Sequence, residues 1–199
     1  MATPLRKPVL SEVLLTGDGT TLMLKRAALV VLGVAAMAIA AKIKVPMWPV
    51  PITMQTFVIL SIGAAYGMRL GGVTTLAYLG VGALGFDVFT GSSASENGLA
   101  YMMGGTGGYL LGFLLATLAL GWLARAGWDR APLRVLGAMM IGNALIFVPG
   151  IAWLGMLHGW DAPILQWGLW PFLPGMLAKT GLAVLLFPLV WRAVGRARG

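Results

Sequence analysis

The sequence of 199 residues has no cysteine, one histidine and six acidic residues. Without cysteine it has neither a disulfide framework nor a thiolate nucleophile. His158 has no Cys or His companions that would complete a zinc site, and the serines of Gly91-Ser92-Ser93 lie in a polar loop rather than beside it. These shortages argue against an enzyme, and we expect neither a metal site nor a cofactor.

Charge of both signs is scarce, at 10% of residues, whereas 59% are hydrophobic and the mean hydropathy is +0.88. A soluble domain carries about 25% charged residues. The composition therefore indicates a polytopic membrane protein with no soluble domain left over. The net charge of +8 does not indicate nucleic-acid binding, because the basic residues lie at the ends of hydrophobic runs.

Six hydrophobic segments can be recognised, each bounded by charge, proline or polar clusters. They are residues 23–41, 52–68, 70–86, 99–124, 135–157 and 165–194. The second and third are separated only by Arg69 and are predicted to form a tight helical hairpin. The sequence thus predicts an all-α bundle of six transmembrane helices: one domain over 24–194, with a cytoplasmic N-terminal tail, 1–23, and a basic cytoplasmic tail, 195–199.

The Lys and Arg residues set the predicted orientation. If the N-terminus is inside, 11 of the 14 lie on the inner side, 2 on the outer side and 1 within the membrane. This bias predicts that both termini are cytoplasmic. The outer pair is Lys42 and Lys44, and the intramembrane residue is Lys179.

Lys179 is the one charged residue inside an otherwise uncharged hydrophobic stretch, near the middle of 165–194. An unpaired Lys at the bilayer centre costs roughly 2.5–3.5 kcal/mol on insertion scales. Such a residue normally faces the protein interior or a cavity, so we expect a site that meets a polar or anionic group. The alternative is a Lys whose four-carbon stem reaches the headgroups.

Two further features offer polar groups near the outer side. Gln55, in the first turns of the second segment, supplies a donor and an acceptor together, for a ligand or for another helix. The run Gly104-Gly105-Thr106-Gly107-Gly108-Tyr109 is no phosphate loop, because no Gly-Lys-Ser/Thr follows. Its glycines permit either close helix packing or exposure of backbone groups to a ligand.

Three motifs resemble one known family. They are Pro49-Val50-Pro51-Ile52-Thr53-Met54-Gln55-Thr56-Phe57, Gly104-Gly105-Thr106-Gly107-Gly108-Tyr109-Leu110, and Phe172-Leu173-Pro174-Gly175-x-x-x-Lys179. In this order and spacing they are similar to the BioY family, the biotin-binding S components of energy-coupling-factor (ECF) transporters. The resemblance runs from about Lys25 to Trp191.

The resemblance implies a vitamin pocket near the outer face of a six-helix bundle. It implies substrate-binding roles for Gln55, Asn97, Tyr109, Lys179 and, in the glycine-rich motif, Thr106. Met176 stands where the family often has an acidic residue, three positions before the Lys. Without that acid, the carboxylate of biotin or a carbonyl oxygen becomes the natural partner of Lys179.

The resemblance also implies partners in a bacterial inner membrane. This chain has no Walker A motif, so the ATPase activity would come from two ATPases joined through a transmembrane T protein. Ala36-x-x-x-Ala40 resembles the small-residue patch through which S components dock the T protein. Some chains of this type are thought to work without that module. The alternatives are an S component for another small vitamin or heterocycle, and a structural membrane subunit without a ligand.

Overall fold

Long apolar runs form helices over most of the chain in the computed structural model, which describes residues 7–15, 17–45, 52–93 and 95–196. The helices are α1 Leu10–Leu14, α2 Gly19–Lys42, α3 Gln55–Ala83, α4 Gly98–Met103, α5 Gly107–Arg125, α6 Pro132–His158, α7 Ile164–Gly168 and α8 Leu173–Arg196. A 3₁₀ turn, Trp170–Phe172, precedes α8. Two short antiparallel strands, β1 Lys44–Val45 and β2 Ile52–Thr53, flank the segment 46–51. The three prolines of that segment, Pro46, Pro49 and Pro51, lie outside the described residues.

Helix α3 reverses direction at Gly67, whose φ of 77° and ψ of 173° are not helical. A Cβ atom built on Gly71 would lie 3.5 Å from the Cα atom of Gly63, so the two halves pack against each other. Glycine is suited to this turn because it adopts positive φ without steric cost. The reversal predicted near Arg69 is therefore present, two residues earlier.

The N-terminal segment closes the end of the bundle that carries this turn. Val9 is fully buried against Gly67, and the hydroxyl of Ser11 donates to the carbonyl of Tyr66 at 3.3 Å. Glu12 forms an ion pair with Arg125 at the end of α5. Part of the predicted tail 1–23 is thus ordered packing that joins α3 to α5.

Within the described residues, five helical segments are long and apolar enough to cross a membrane. The predicted number was six, and the difference arises because 52–68 and 70–86 correspond to the two halves of the single element α3. The regular secondary structure of the described residues is helical apart from the two-residue strands, as in a multi-pass membrane protein. Its buried core lies mainly between α3, α5 and α6, where Ile59, Leu120 and Ile146 are at most 1% exposed.

Two predicted segments are interrupted in the structure. Segment 99–124 divides into α4 and α5 at Gly104–Thr106, and 165–194 divides into α7, the 3₁₀ turn and α8. Pro171 explains part of the second break, because a proline has no N–H to continue a helix. Lys179 therefore lies only about 9 Å from the first residue of α8, at about 1.5 Å per residue. It also lies near the middle of the apolar stretch Ile164–Arg196, which counts as one candidate span although its helix is interrupted before α8.

Candidate functional site

Lys179 links α8 to the start of α3. Its Nζ atom donates to the carbonyl oxygen of Thr53 at 3.2 Å and to the hydroxyl oxygen of Thr56 at 2.5 Å. Both acceptors follow directly on the segment 46–51. The side chain therefore contacts protein oxygens at the end of the bundle opposite Arg125 and the N-terminal segment.

Within the described residues, no carboxylate pairs with this ammonium group. All six acidic residues lie in the described part of the chain, where the ion pairs are Lys42–Asp87, Arg125–Glu12 and Arg130–Asp129. The described partners of Lys179 are the two neutral oxygens, whereas a Lys ammonium has three N–H donors. The arrangement can thus supply a positive charge and a further donor to an anionic group.

Gln55 is 4% exposed and lies inside a hydrogen-bond network of the α3 hairpin. Its Nε2 donates to the hydroxyl of Tyr78 at 2.5 Å, and its Oε1 accepts from Thr90 at 2.6 Å. Tyr78 in turn donates to the carbonyl of Val88 at 2.9 Å. These contacts fix the Gln55 amide beside Thr56. They agree with the second role suggested for Gln55 by the sequence, a hydrogen bond to another helix, rather than a bond to a ligand.

Tyr109 and Thr106 lie at the start of α5, and Tyr109 faces α6 and α7. The Tyr109 hydroxyl donates to the carbonyl of Gly168 at 2.8 Å, and its ring packs edge-on against Phe147 with centroids 6.1 Å apart. Thr106 is the N-cap residue of α5, and its hydroxyl oxygen is buried without a hydrogen-bond partner in the described structure. A hydroxyl without a partner is available to a ligand that enters here.

Asn97 and Met176 complete the set of predicted binding residues. Asn97 precedes α4, and its Nδ2 donates to the carbonyl of Ser93 at 3.0 Å, which places it in the loop before the glycine-rich turn. Met176 is half-buried one turn before Lys179 on the same side of α8. Its side chain offers a weak sulfur acceptor in place of a carboxylate.

The structure separates the two residues predicted for partner docking. Ala36 is exposed on α2, among the exposed side chains of Leu32 and Ile39, whereas Ala40 is 4% exposed and packed inside the bundle. Only Ala36 of the pair is accessible from the membrane side of α2. The accessible small-residue patch on α2 is therefore smaller than the pair Ala36 and Ala40 suggested.

Sequence reasoning missed several residues that hold this region together. Thr53 and Thr56 belong to the first motif but were not selected, although their oxygens are the described partners of Lys179. Trp153 donates from Nε1 to the carbonyl of Gly104 at 2.9 Å, so the glycine-rich turn does expose backbone to a partner side chain. Nothing in the local sequence distinguished Tyr78, because its contact with Gln55 forms only when the two halves of α3 fold into a hairpin.

The predicted residues fall into two groups at the same end of the bundle. Lys179 and the first turn of α3 form one group. Tyr109, which is bonded to α7, and Thr106, in the turn just before it, form the other. The described residues contain no group of three or more His, Cys, Asp or Glu side chains that could hold a metal ion. The chemistry on offer is hydrogen bonding and one positive charge, which suits binding of a small anion.

The fold and this site define a multi-pass membrane protein with the fold of an ECF S component. A crystal structure of the S-component for biotin from an ECF-type ABC transporter superposes with a TM-score of 0.69 at 22% identity, over 88% of this chain and 95% of that one. The structure of FolT bound with folic acid gives a TM-score of 0.55 at 18% identity, over 82% and 89%.

The sequence profile of the BioY family matches residues 12–196, and the chain belongs to that family. The "Probable biotin transporter BioY" of Pyrococcus horikoshii is 35% identical over 162 residues, which cover 81% of this chain and 93% of that protein. The family resemblance carried by the three motifs is therefore confirmed.

Proposed function

We propose that this chain captures biotin at the outer face of a bacterial inner membrane and moves it into the cell, as the substrate-binding S component of an ECF transporter. Family membership and the relatives named for biotin support this function. The observation that carries it is Lys179, an ammonium group held by two neutral oxygens and paired with none of the six acidic residues. Biotin has a carboxylate that would supply the missing negative charge.

In this proposal the two groups of residues hold opposite ends of the vitamin. Lys179 and Thr56 bind the carboxylate, while Thr106, Tyr109 and Asn97 face the ring system. Met176 lies between them along α8 and contributes apolar contact, and Gln55 positions the first turn of α3. A bond to a charged group contributes about 1.5–3 kcal/mol, so the Lys179 contact accounts for a large share of specificity.

We further propose six membrane crossings, in which the two halves of α3 count separately, with both termini in the cytoplasm. The domain then extends over 24–194, between a cytoplasmic tail, 1–23, and a short basic tail, 195–199. The excess of Lys and Arg at the end that carries Arg125 supports this orientation. A C-terminal reporter enzyme that is active only outside the cytoplasm should remain silent.

The partners in this proposal are the surrounding lipid, a transmembrane T protein and two ATPases, which supply the hydrolysis that this chain has no Walker A motif to perform. Ala36 lies in the proposed contact between α2 and the T protein, and Ala40 packs inside the bundle behind that face of α2. The alternative is that the chain transports biotin alone, without the T protein and the ATPases.

Radiolabelled biotin binding to the purified chain, without any partner, tests the proposal. Saturable binding that unlabelled biotin displaces, and that a panel of other vitamins does not, is the expected result. Displacement by another vitamin instead would make the chain an S component for that compound, which the shared fold with FolT allows. If no vitamin bound and none shifted the unfolding temperature, the chain would instead be a structural membrane subunit without a ligand.

A further inference from the structure

An open cavity lies at the opposite end of the bundle from Lys179, between α1 and the last turns of α8. Its volume is about 400 Å³, and its lining includes Val13, Arg130, Trp191, Arg192 and Gly195. Small-molecule sites typically have volumes of about 300–1,000 Å³. The proposed function makes no use of this cavity.

Two arginines, Arg130 and Arg192, line the cavity. The guanidinium group of Arg130 stacks 4.1 Å from the ring centre of Trp191 and donates to the carbonyl of Pro8 at 2.9 Å. Its Nε atom is buried without a hydrogen bond in the described structure, 3.9 Å from the carboxylate of Asp129. Arg130 is thus held in place by Trp191, Pro8 and Asp129.

Asp129 and Glu12 are the acidic residues nearest to this lining along the chain, and Asp129, 3.9 Å from Arg130, offsets the charge of that arginine. Asp129 is 5% exposed and accepts from Trp191 at 2.7 Å, and Glu12 pairs with Arg125. Arg192 is exposed, and no described ion pair includes it. The cavity therefore presents the positive charge of Arg192 to a ligand.

An apolar stripe continues from the cavity along α8 toward the middle of the membrane. Leu189 and Leu185 precede Arg192 by three and seven residues, which places them on one side of the helix, and they are 54% and 66% exposed. A ligand with a charged head at Arg192 and an apolar tail would contact both. A free anion would use only the arginines.

We propose that this cavity binds the phosphate of an anionic phospholipid, with its acyl chains along the stripe that ends at Leu185. An arginine fork matches the geometry of phosphate oxygens, and basic pockets at the cytoplasmic ends of transmembrane helices recognise anionic headgroups. The lipid bridges α1, the α5–α6 loop and α8, so it couples the N-terminal segment to the C-terminal helix. This inference does not depend on the identity of the vitamin.

The test compares binding of phosphatidylglycerol and phosphatidylcholine to the full purified chain in neutral detergent, by native mass spectrometry and by the shift in unfolding temperature. Arg192→Gln should weaken phosphatidylglycerol binding about tenfold or more, the effect of one charge-assisted bond. Arg134→Gln is the matched control, since Arg134 is an exposed Arg in the first turn of α6, at the same end but outside the lining. It should leave the affinity unchanged.

Gly195→Phe gives a second measurement that keeps both arginines. A Cβ atom on Gly195 would meet no other atom within 4 Å, so the fold should tolerate the ring, which would occupy the cavity and reduce lipid binding. Equal losses in Arg192→Gln and Arg134→Gln would overturn the proposal in favour of general surface charge. Equal binding of the two lipids would also overturn it. If inorganic phosphate competed fully and phosphatidylglycerol had no advantage over it, the site would be one for a free anion.

Discussion

The ammonium nitrogen of Lys179 lies 2.5 Å from the hydroxyl oxygen of Thr56, and this contact joins residues 123 positions apart in the sequence. It places the charge of α8 beside the first turn of α3, immediately after the segment 46–51. A ligand that binds there affects the packing of both helices. If the proposed substrate site is correct, substrate binding is therefore expected to depend on the relative position of α3 and α8.

Lys179→Met is expected to lower biotin affinity about tenfold to hundredfold, because a bond to a charged group contributes about 1.5–3 kcal/mol. Thr56→Val removes only a neutral hydroxyl and should have a smaller effect. Equilibrium binding of labelled biotin measures both effects. Biotin amide, which has no carboxylate, should bind the wild type weakly and should bind the Met variant with about the same weak affinity. A well-folded Met variant with unchanged affinity would show that Lys179 does not bind biotin and that its ammonium group instead extends to the lipid headgroups.

Tyr78→Phe is expected to destabilise the empty protein by about 1–3 kcal/mol, since the buried amide of Gln55 and the carbonyl of Val88 both lose their partner. Thermal unfolding in detergent measures the loss. Tyr101→Phe makes the same chemical change where the hydroxyl accepts an exposed bond from Gly91, and should cost less. Equal unfolding temperatures for the two variants would argue against a structural role for the network.

Acid should weaken the contact between the end of α2 and the loop after α3. Hydrogen bonds from Lys42 and Ser92 hold the pKa of Asp87 below its ordinary value of 3.8. A carboxylate with a depressed folded-state pKa contributes stability above its unfolded pKa, and this contribution is lost as the pH falls through the folded value. Unfolding temperatures between about pH 6 and pH 2 should show this loss in the wild type and not in Asp87→Asn.

Asp161→Asn is the matched control for that measurement, because Asp161 is exposed and carries the same charge in the loop between α6 and α7. It should retain the acid-dependent loss of the wild type. If Asp161→Asn and Asp87→Asn behaved alike, the Lys42–Asp87 ion pair would not be the source of the pH dependence.

Gly121→Ala should disrupt the bundle, because the added Cβ atom would lie 2.2 Å from the backbone nitrogen of Met68 and 2.5 Å from the carbonyl carbon of Gly67. Overpacking of this kind typically costs about 1–3 kcal/mol, and here both obstacles are backbone. Gly181→Ala, where nothing lies within 4 Å, should be neutral or stabilising. Size-exclusion profiles and unfolding temperatures compare them, and a monodisperse, stable Gly121→Ala would contradict the close approach of α5 to the turn.

Ala36→Trp should weaken co-purification with a T protein while biotin binding persists, because a bulky ring on the exposed face of α2 keeps a partner helix away. Val31→Trp alters an exposed position on another face of α2 and should leave co-purification unchanged. Ala40→Trp should instead reduce stability, since Ala40 is buried. Normal co-purification of Ala36→Trp would remove Ala36 from the docking surface.

The sequence predicted the chain reversal near Arg69 because a charge interrupts two apolar runs, and the structure places it at Gly67. It did not predict that 165–194 divides before α8, because hydropathy averages over Gly168 and Pro171. The motifs selected Gln55 and Lys179, but their partners, Tyr78 and Thr56, lie 23 and 123 positions away. Such contacts depend on how helices pack, which local patterns do not encode.

The turn at Gly67 has a consequence for the bilayer itself. The half of α3 before it extends about 18 Å and the half after it about 24 Å at 1.5 Å per residue, whereas the hydrocarbon core is about 30 Å thick. Arg69, exposed just beyond the turn, needs water or headgroups within reach. The membrane next to this hairpin should therefore be locally thin, as lipids adapt to a short protein surface, and the thickness of the host bilayer becomes a variable that affects the stability of this fold.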